Sequence, residues 1–425
     1  MLSLPFIREH SREVVDRLKI KNFDSTEILD RLLKADDRRR EIQFQLDETN
    51  AQSKLLAQKI GSHFQSGNTI EANRLREQSG VLKTRARELE TALDLAKKEA
   101  DDLLIQLQNL PHPSVPGGTS AEANEVVFHE GTVPVTGTGL LAHWDLVNKY
   151  LIIDFVQGTK IAGAGFPVYL GQGARLQRGL INFFLDRALE ARYTEVQPPY
   201  LVNAASGFGT GQLPDKDGQM YFTGEDTLYL IPTAEVPVTN LYRDMLLKSA
   251  DLPVKNMAYS ACFRREAGSW GKEVRGMNRL HQFDKVEIVQ IVHPDHSYTA
   301  LEEMREYVTM LLRLLELPFR VVKLCGGDLS FTSAMTYDME VFAAWQQRWL
   351  EVSSISNFES FQANRMKLRI KEEGGKIHPA HTLNGSALAL PRIVAALLEN
   401  NQSPRGIRIP PALVPYTGFS LISCE

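Results

Sequence analysis

Cysteine is scarce: the 425 residues contain three, Cys262, Cys325 and Cys424, far apart in the chain. No pair has the spacing of a zinc knuckle and no disulfide framework is written here, so a reducing compartment and no structural zinc are expected. No apolar run approaches the roughly 18 residues of a membrane span. The opening MLSLPFIREHSREVV meets charge at Arg8 and lacks the apolar core of a signal peptide. A cytoplasmic location without membrane attachment is therefore expected. Neither charge dominates, because 48 basic against 52 acidic residues leave a formal net charge of −4. That balance excludes a whole-chain polybasic coat for nucleic acid or membranes.

Residues 27–108 also lack proline and tryptophan, and their glycines are Gly61, Gly67 and Gly80. What fills the gap is a heptad. Leu82, Leu89, Ala96 and Leu103 fall seven apart, with Ala86, Leu93, Ala100 and Leu107 interleaved. Such an a/d seam calls for a partner helix, and Ile42, Leu46, Leu56 and Ile60, with Thr49 and Ser53 between, keep the same spacing upstream. Gly61–Thr69 is the expected turn, with Asn68 and Glu71 spaced as a capping box. An antiparallel helical hairpin follows, each arm on the order of 60 Å long at about 1.5 Å per residue.

Charge gives this hairpin a direction. Residues 1–110 balance at 19 basic and 19 acidic side chains, yet residues 50–87 carry seven basic against two acidic. The outer half is thus net +5. A solvated coiled coil that only dimerises would accept this pattern. A finger that meets a phosphate backbone would use it, through Arg74, Arg76, Lys83, Arg85 and Arg87. With few aromatic residues there, shape and backbone contact would be the mode.

Asn109–Gly118 then holds three prolines and two glycines in ten residues, which marks a boundary. The reading is an arm over 1–110, a linker over 111–125 and a large domain over 126–425. The last mixes strand-like runs (Leu228–Ile231, Ala258–Phe263, Lys285–Val292, Phe319–Leu324) with helical ones (Ala174–Ala191, His296–Leu315, Leu390–Asn400). It is expected to be α+β, with Trp345 and Trp349 in its core.

The chemistry concentrates in Cys262-Phe-Arg264-Arg265-Glu266, a glycine-punctuated stretch, and Arg279-Leu-His-Gln-Phe283-Asp-Lys-Val-Glu287. Two antiparallel strands around a mobile loop are expected. Period two puts Arg279, His281, Phe283, Lys285 and Glu287 on one face, with Val286 and Ile288 on the other. Arginine forks bind phosphate and an aromatic ring stacks on a purine, so the face suits a nucleoside triphosphate. A salt-bridged exposed sheet face is the plain alternative.

Phe263-Arg264-Arg265-Glu266 followed by Arg279-x-x-x-Phe283 resembles motif 2 of class II aminoacyl-tRNA synthetases, and the stretch through HQFDKVEIV resembles the seryl-tRNA synthetases. Tyr193–Pro199 resembles motif 1, and Asn384-Gly-Ser386-Ala-Leu-Ala-Leu-Pro-Arg392 resembles motif 3. Leu230-Ile-Pro-Thr233-Ala-Glu235 is similar to that family's serine-recognition turn, and the hairpin to its tRNA arm. Motif 3 departs from the glycine-rich pattern at Ala387 and Pro391, the latter acceptable in a first helical turn.

The resemblance implies an antiparallel class II sheet flanked by helices, and a serine–tRNA ligase. Its partners would be ATP with Mg2+, L-serine and tRNA(Ser), with tRNA(Sec) a further candidate. It implies Arg264 and Arg392 as catalytic residues on the phosphates. ATP would meet Arg264, Arg265, Glu266, Leu280, Phe283, the stretch Glu351, Val352, Ser353, Ser354, and Arg392. Serine would meet Thr233, Ala234, Glu235, Arg264, Glu287, Asn384 and Ser386, and motif 1 with Pro199 would form a homodimer interface. Mg2+ would be held by Glu351 and Ser354, which face opposite sides of a regular strand, so a bulge or twist must lie between them.

Overall fold

The computed structural model describes residues 1–134, 139–215, 218–266 and 275–423. The expected mobile loop between Glu266 and Arg275 thus lies outside the described residues, as does Cys424. The chain forms two compact units, Leu2–Lys19 with Phe23–Gln108, and Met1 and Ile20–Asn22 with Asn109–Glu425.

The first unit is built on α1 (Thr26–Gln65) and α2 (Thr69–Leu104). Their heptad seam is the buried stripe: Leu46, Leu89 and Leu93 pack together with Ile42 and Ala86 against them. Thr49 lies in the same stripe and turns its hydroxyl back to the Gln45 carbonyl at 2.7 Å, whereas the Ser53 hydroxyl one turn on is buried without a hydrogen-bond partner. The reversal is tighter than expected. Helix α1 runs through Gly61 to Gln65, because a solvent-facing glycine costs a helix only about 1 kcal/mol. The turn is made by Ser66, Gly67 at φ +78° and Asn68, whose side chain accepts the Glu71 N–H at 3.3 Å. Arg74, Arg76, Lys83, Arg85 and Arg87 are all exposed along α2. Two short helices precede α1, and Arg8 on the first reaches Asp36 at 2.9 Å and Asp37 at 2.6 Å.

The second unit is organised by an eight-stranded sheet. In chain order its strands are β1 (Glu125–Glu130), β2 (Thr194–Glu195), β3 (Val254–Phe263), β4 (Gln282–Val292), β5 (Phe319–Lys323), β6 (Met335–Ala343), β7 (Arg348–Asn357) and β8 (His381–Ala389). They lie in the order β1-β5-β6-β7-β8-β4-β3-β2, antiparallel except for the β2–β3 pair. Helices α3 (Gly171–Glu190), α4 (Ser297–Leu314) and α5 (Leu390–Asn400) contribute to one core with the apolar sides of the strands. Val286 and Ile288 are fully buried there, as period two requires. The proline-rich stretch after Gln108 is not a free tether. Its backbone and the Asn109 amide bond to Phe331, Thr332, Ala334 and Phe358 of the same unit.

Two expectations need correction. Strand β4 begins at Gln282, so Arg279 and His281 precede it: pairing with β3 ends at Phe263↔Gln282, and Glu266 at φ +47° turns the chain away. Trp345 is 40% exposed, because it packs edge-on against Trp144 at 5.0 Å at the rim of the unit.

Candidate active site

The turn before a short helix, strands β4, β7 and β8, and the start of α5 bring the expected residues together. Thr233, Ala234 and Glu235 are buried, and the Glu235 N–H bonds to the Thr233 hydroxyl at 3.2 Å. Cross-strand pairing of Glu287 with Ser386 places β4 and β8 side chains together. The Asn384 amide joins two carboxylates, donating to Glu235 at 3.0 Å and to Glu287 at 2.9 Å. Glu287 also takes the Ser386 hydroxyl at 3.3 Å and the Lys285 ammonium at 2.5 Å. Gln362 holds the other oxygen of Glu235 at 2.7 Å.

Burial pushes the Glu235 carboxyl up to about 7, and the neighbouring charge of Glu287 adds to the rise. Two acids crowd one buried pocket, and the positive charges of Lys285 and Arg264 offset only part of that cost, so Glu235 keeps its proton.

Beside it, Arg264 lies with its guanidinium 5.2 Å from the Phe283 ring centroid and donates to the Pro232 carbonyl at 3.3 Å. Glu266 pairs with Arg279 at 3.0 Å, Arg265 is exposed, and Leu280 is buried. Arg392, in the first turn of α5 after Pro391, donates to the Asn278 carbonyl at 3.2 Å and to the Glu351 carbonyl and carboxylate at 2.7 and 3.3 Å. The three donor–acceptor contacts aim its guanidinium across β7.

The expected irregularity in β7 is present. Opposite β6, Ser354 pairs with Asp338 and Ser353 with Met339, but Glu340 pairs with Glu351, so Val352 is the extra residue of a bulge. Asp338 and Glu340 share one face of β6, and the bulge therefore puts Ser354 and Glu351 on that face together. Val352 is buried, and Ser353 donates to the Ser386 carbonyl at 2.6 Å, tying β7 to β8.

Three participants were not singled out from the sequence. Asp338 faces Ser354, and burial, then the Glu351 charge, raises its carboxyl well above the usual range. Its Oδ1 is buried with no hydrogen-bond partner. An acid inside the apolar run MTYDMEVFA was the available signal, the same one that marked Glu287. Gln362 offered none, since only the fold brings it to Glu235, whereas Lys285 stands two residues before Glu287 on the strand face that the period already marked. Pro199 is exposed beyond β2 and lies apart from these contacts.

The model of the seryl-tRNA synthetase N-terminal domain matches residues 1–111, and that of the tRNA synthetase class II core domain (G, H, P, S and T) matches residues 221–401. A serine–tRNA ligase of Salinibacter ruber is 49% identical over 427 residues, covering 100% of both chains. The chain belongs to the seryl-tRNA synthetase family. Another member, from Akkermansia muciniphila, is 45% identical over 430 residues and again covers 100% of both. The seryl-tRNA synthetase of Pyrococcus horikoshii, solved with ATP, superposes with a TM-score of 0.92 at 32% identity over the whole of both chains.

Proposed function

We propose that the chain is a serine–tRNA ligase that forms seryl-adenylate from serine and ATP and passes the seryl group to the 3′ end of tRNA(Ser). The observation that carries this reading is the buried pair Glu235 and Glu287, joined by Asn384, beside Arg264. A serine ammonium is a counter-charge for the ionised Glu235, and its hydroxyl is a donor for Glu287. Thr233 and Ser386 complete the pocket.

Arg264 holds the serine carboxylate and the α-phosphate as one carboxylate oxygen attacks phosphorus and pyrophosphate leaves. A ribose hydroxyl of tRNA then attacks the seryl carbonyl and AMP leaves. No side chain forms a covalent bond; positioning and charge stabilisation supply the rate. Phe283 stacks on adenine beside the Leu280 main chain. Arg392 takes the γ-phosphate, and in doing so leaves the Glu351 carboxylate.

That release frees Glu351 for a hard cation. Glu351, Ser354 and the unpartnered Asp338 Oδ1 form an all-oxygen set on one face, which fits Mg2+. Bound there, Mg2+ would neutralise phosphate charge. The arm carries tRNA through its basic outer half, motif 1 with Pro199 forms a homodimer, and the enzyme works in the cytoplasm. No described helix is long and apolar enough to cross a membrane.

Serine-dependent exchange of pyrophosphate into ATP tests the reading. Wild type exchanges with serine, and Arg264→Ala does not, while its sedimentation still reports the wild-type assembly. Exchange that is independent of serine, or undiminished in Arg264→Ala, overturns it.

A further inference from the structure

Far along β4 from the serine pocket lies a second convergence of polar groups. His293 follows the last residue of β4, six residues beyond Glu287, which is on the order of 20 Å along a strand. Its Nε2 is 3.1 Å from Glu372 Oε1, and the Nε2 of His378 is 2.5 Å from the same oxygen. Glu372 and His378 come from the hairpin that joins strands Arg369–Lys371 and Ile377–Pro379, closed by the Glu372 N–H to the Lys376 carbonyl at 2.9 Å. The three ligand atoms all lie within 4.8 Å of one another.

We propose that His293, Glu372 and His378 bind a divalent transition-metal ion, and that this site is separate from the serine and ATP pocket. The set is chemically selective: two imidazoles and one carboxylate suit Zn2+, Co2+ or Ni2+, and discriminate against Mg2+ and Ca2+, which prefer oxygen alone.

The surrounding contacts orient the ligands. His378 Nδ1 is 3.1 Å from the Pro379 carbonyl, so that nitrogen carries hydrogen and Nε2 faces the centre. A proton lies between Nε2 and the Glu372 oxygen at 2.5 Å, and a metal ion binding there would displace it and spread the two atoms. His293 Nδ1 accepts the Asp295 N–H at 3.2 Å, which fixes the ring with Nε2 facing Glu372; a metal ion would displace the hydrogen that Nε2 carries there. The three side chains are 20 to 29% exposed, and His293 and Glu372 line an adjoining cavity of about 540 Å³, which leaves coordination positions for water or a small anion. The metal would clip the hairpin to the end of β4.

Cobalt provides the test. Chelator-treated full-length protein is dialysed against Co2+ in millimolar Mg2+, and bound metal is counted together with its visible absorption. One Co2+ per chain with a visible band is expected, displaced by Zn2+. His293→Gln, Glu372→Gln and His378→Gln should each weaken binding by roughly tenfold or more. Glu351→Gln should bind Co2+ as wild type does. Zn2+ should raise the wild-type Tm, a readout that needs no variant. All three variants should keep serine-dependent pyrophosphate exchange in the absence of added transition metal. Wild type that binds no Co2+ under these conditions, or a His293→Gln/His378→Gln double variant that binds it undiminished, overturns the proposal and leaves a hydrogen-bonded cluster.

Discussion

His143 Nδ1 and Glu399 Oε1 are 2.8 Å apart, with both side chains fully buried. The pair works as a latch. Glu399, on α5, also receives the backbone N–H groups of His143, Trp345 and Gln346, and His143 Nε2 accepts the Met277 N–H at 3.0 Å. Met277 precedes Asn278, whose carbonyl holds Arg392. A buried acid thus sets the position of an arginine seven residues earlier on its own helix.

Removing one partner of such a pair leaves the other unsatisfied. His143→Leu should cost about 3 kcal/mol of stability in urea unfolding. Because the Asn278 carbonyl loses its anchor, KM for ATP should rise while KM for serine changes little. An equal rise in both would show a general loosening instead.

The raised Glu235 carboxyl makes stability depend on pH. Between its ordinary value of 4.5 and about 7, the native state keeps a proton that the unfolded chain has released. The contribution is fully present below 4.5 and is lost as pH rises through about 7, amounting to on the order of 3 kcal/mol. Glu235→Gln should remove this slope, so its stability relative to wild type should improve between pH 5 and pH 8. Serine, whose ammonium favours the ionised acid, should release protons on binding near pH 6.5 in calorimetry across buffers. An identical pH profile in the variant would dismiss Glu235 as the titrating group.

Glu287 already holds three donors, and a carboxylate has about four acceptor positions. The serine hydroxyl would take the remaining one. Alanine leaves it empty, a penalty of about 1–3 kcal/mol. Glu287→Gln should therefore reduce the preference for serine over alanine in kcat/KM by roughly tenfold or more. An unchanged ratio would move the hydroxyl contact elsewhere.

Replacing residues 30–107 by a short linker should spare pyrophosphate exchange and abolish transfer to tRNA. Reversing charge at Arg74, Arg76, Lys83, Arg85 and Arg87 should weaken tRNA binding and flatten its salt dependence, since fewer counterions are released. If the armless protein charges tRNA at the full rate, the arm has another purpose.

What could be read in the sequence follows from where the physics is local. The α1–α2 seam was legible because a seven-residue period is visible in one strand of text, and Asn68 marks a helix start by its own chemistry. Glu287 stood out as an acid between Val286 and Ile288. Gln362 and the His143–Glu399 pair did not, because their partners are set by tertiary packing and no spacing encodes them. The reversal was read a few residues early at Gly61, since glycine marks turns and exposed helix positions alike. Trp345 was misplaced because aromatic size predicts burial only on average.

The bulge at Val352 acts as a phase shift in β7. Residues before it and after it obey the same two-residue rhythm, but half a beat apart. Glu351 and Ser354 face one way because three steps count as two. For this pair the register between them matters more than which residues lie there. A relative with the two intervening residues replaced and the bulge kept would still present both groups, and one that lost the bulge together with one residue would too, whereas one that straightened the strand at the same length would turn Glu351 away from Ser354. Alignments that slide a gap freely through this strand would join positions that look out of opposite faces of the sheet.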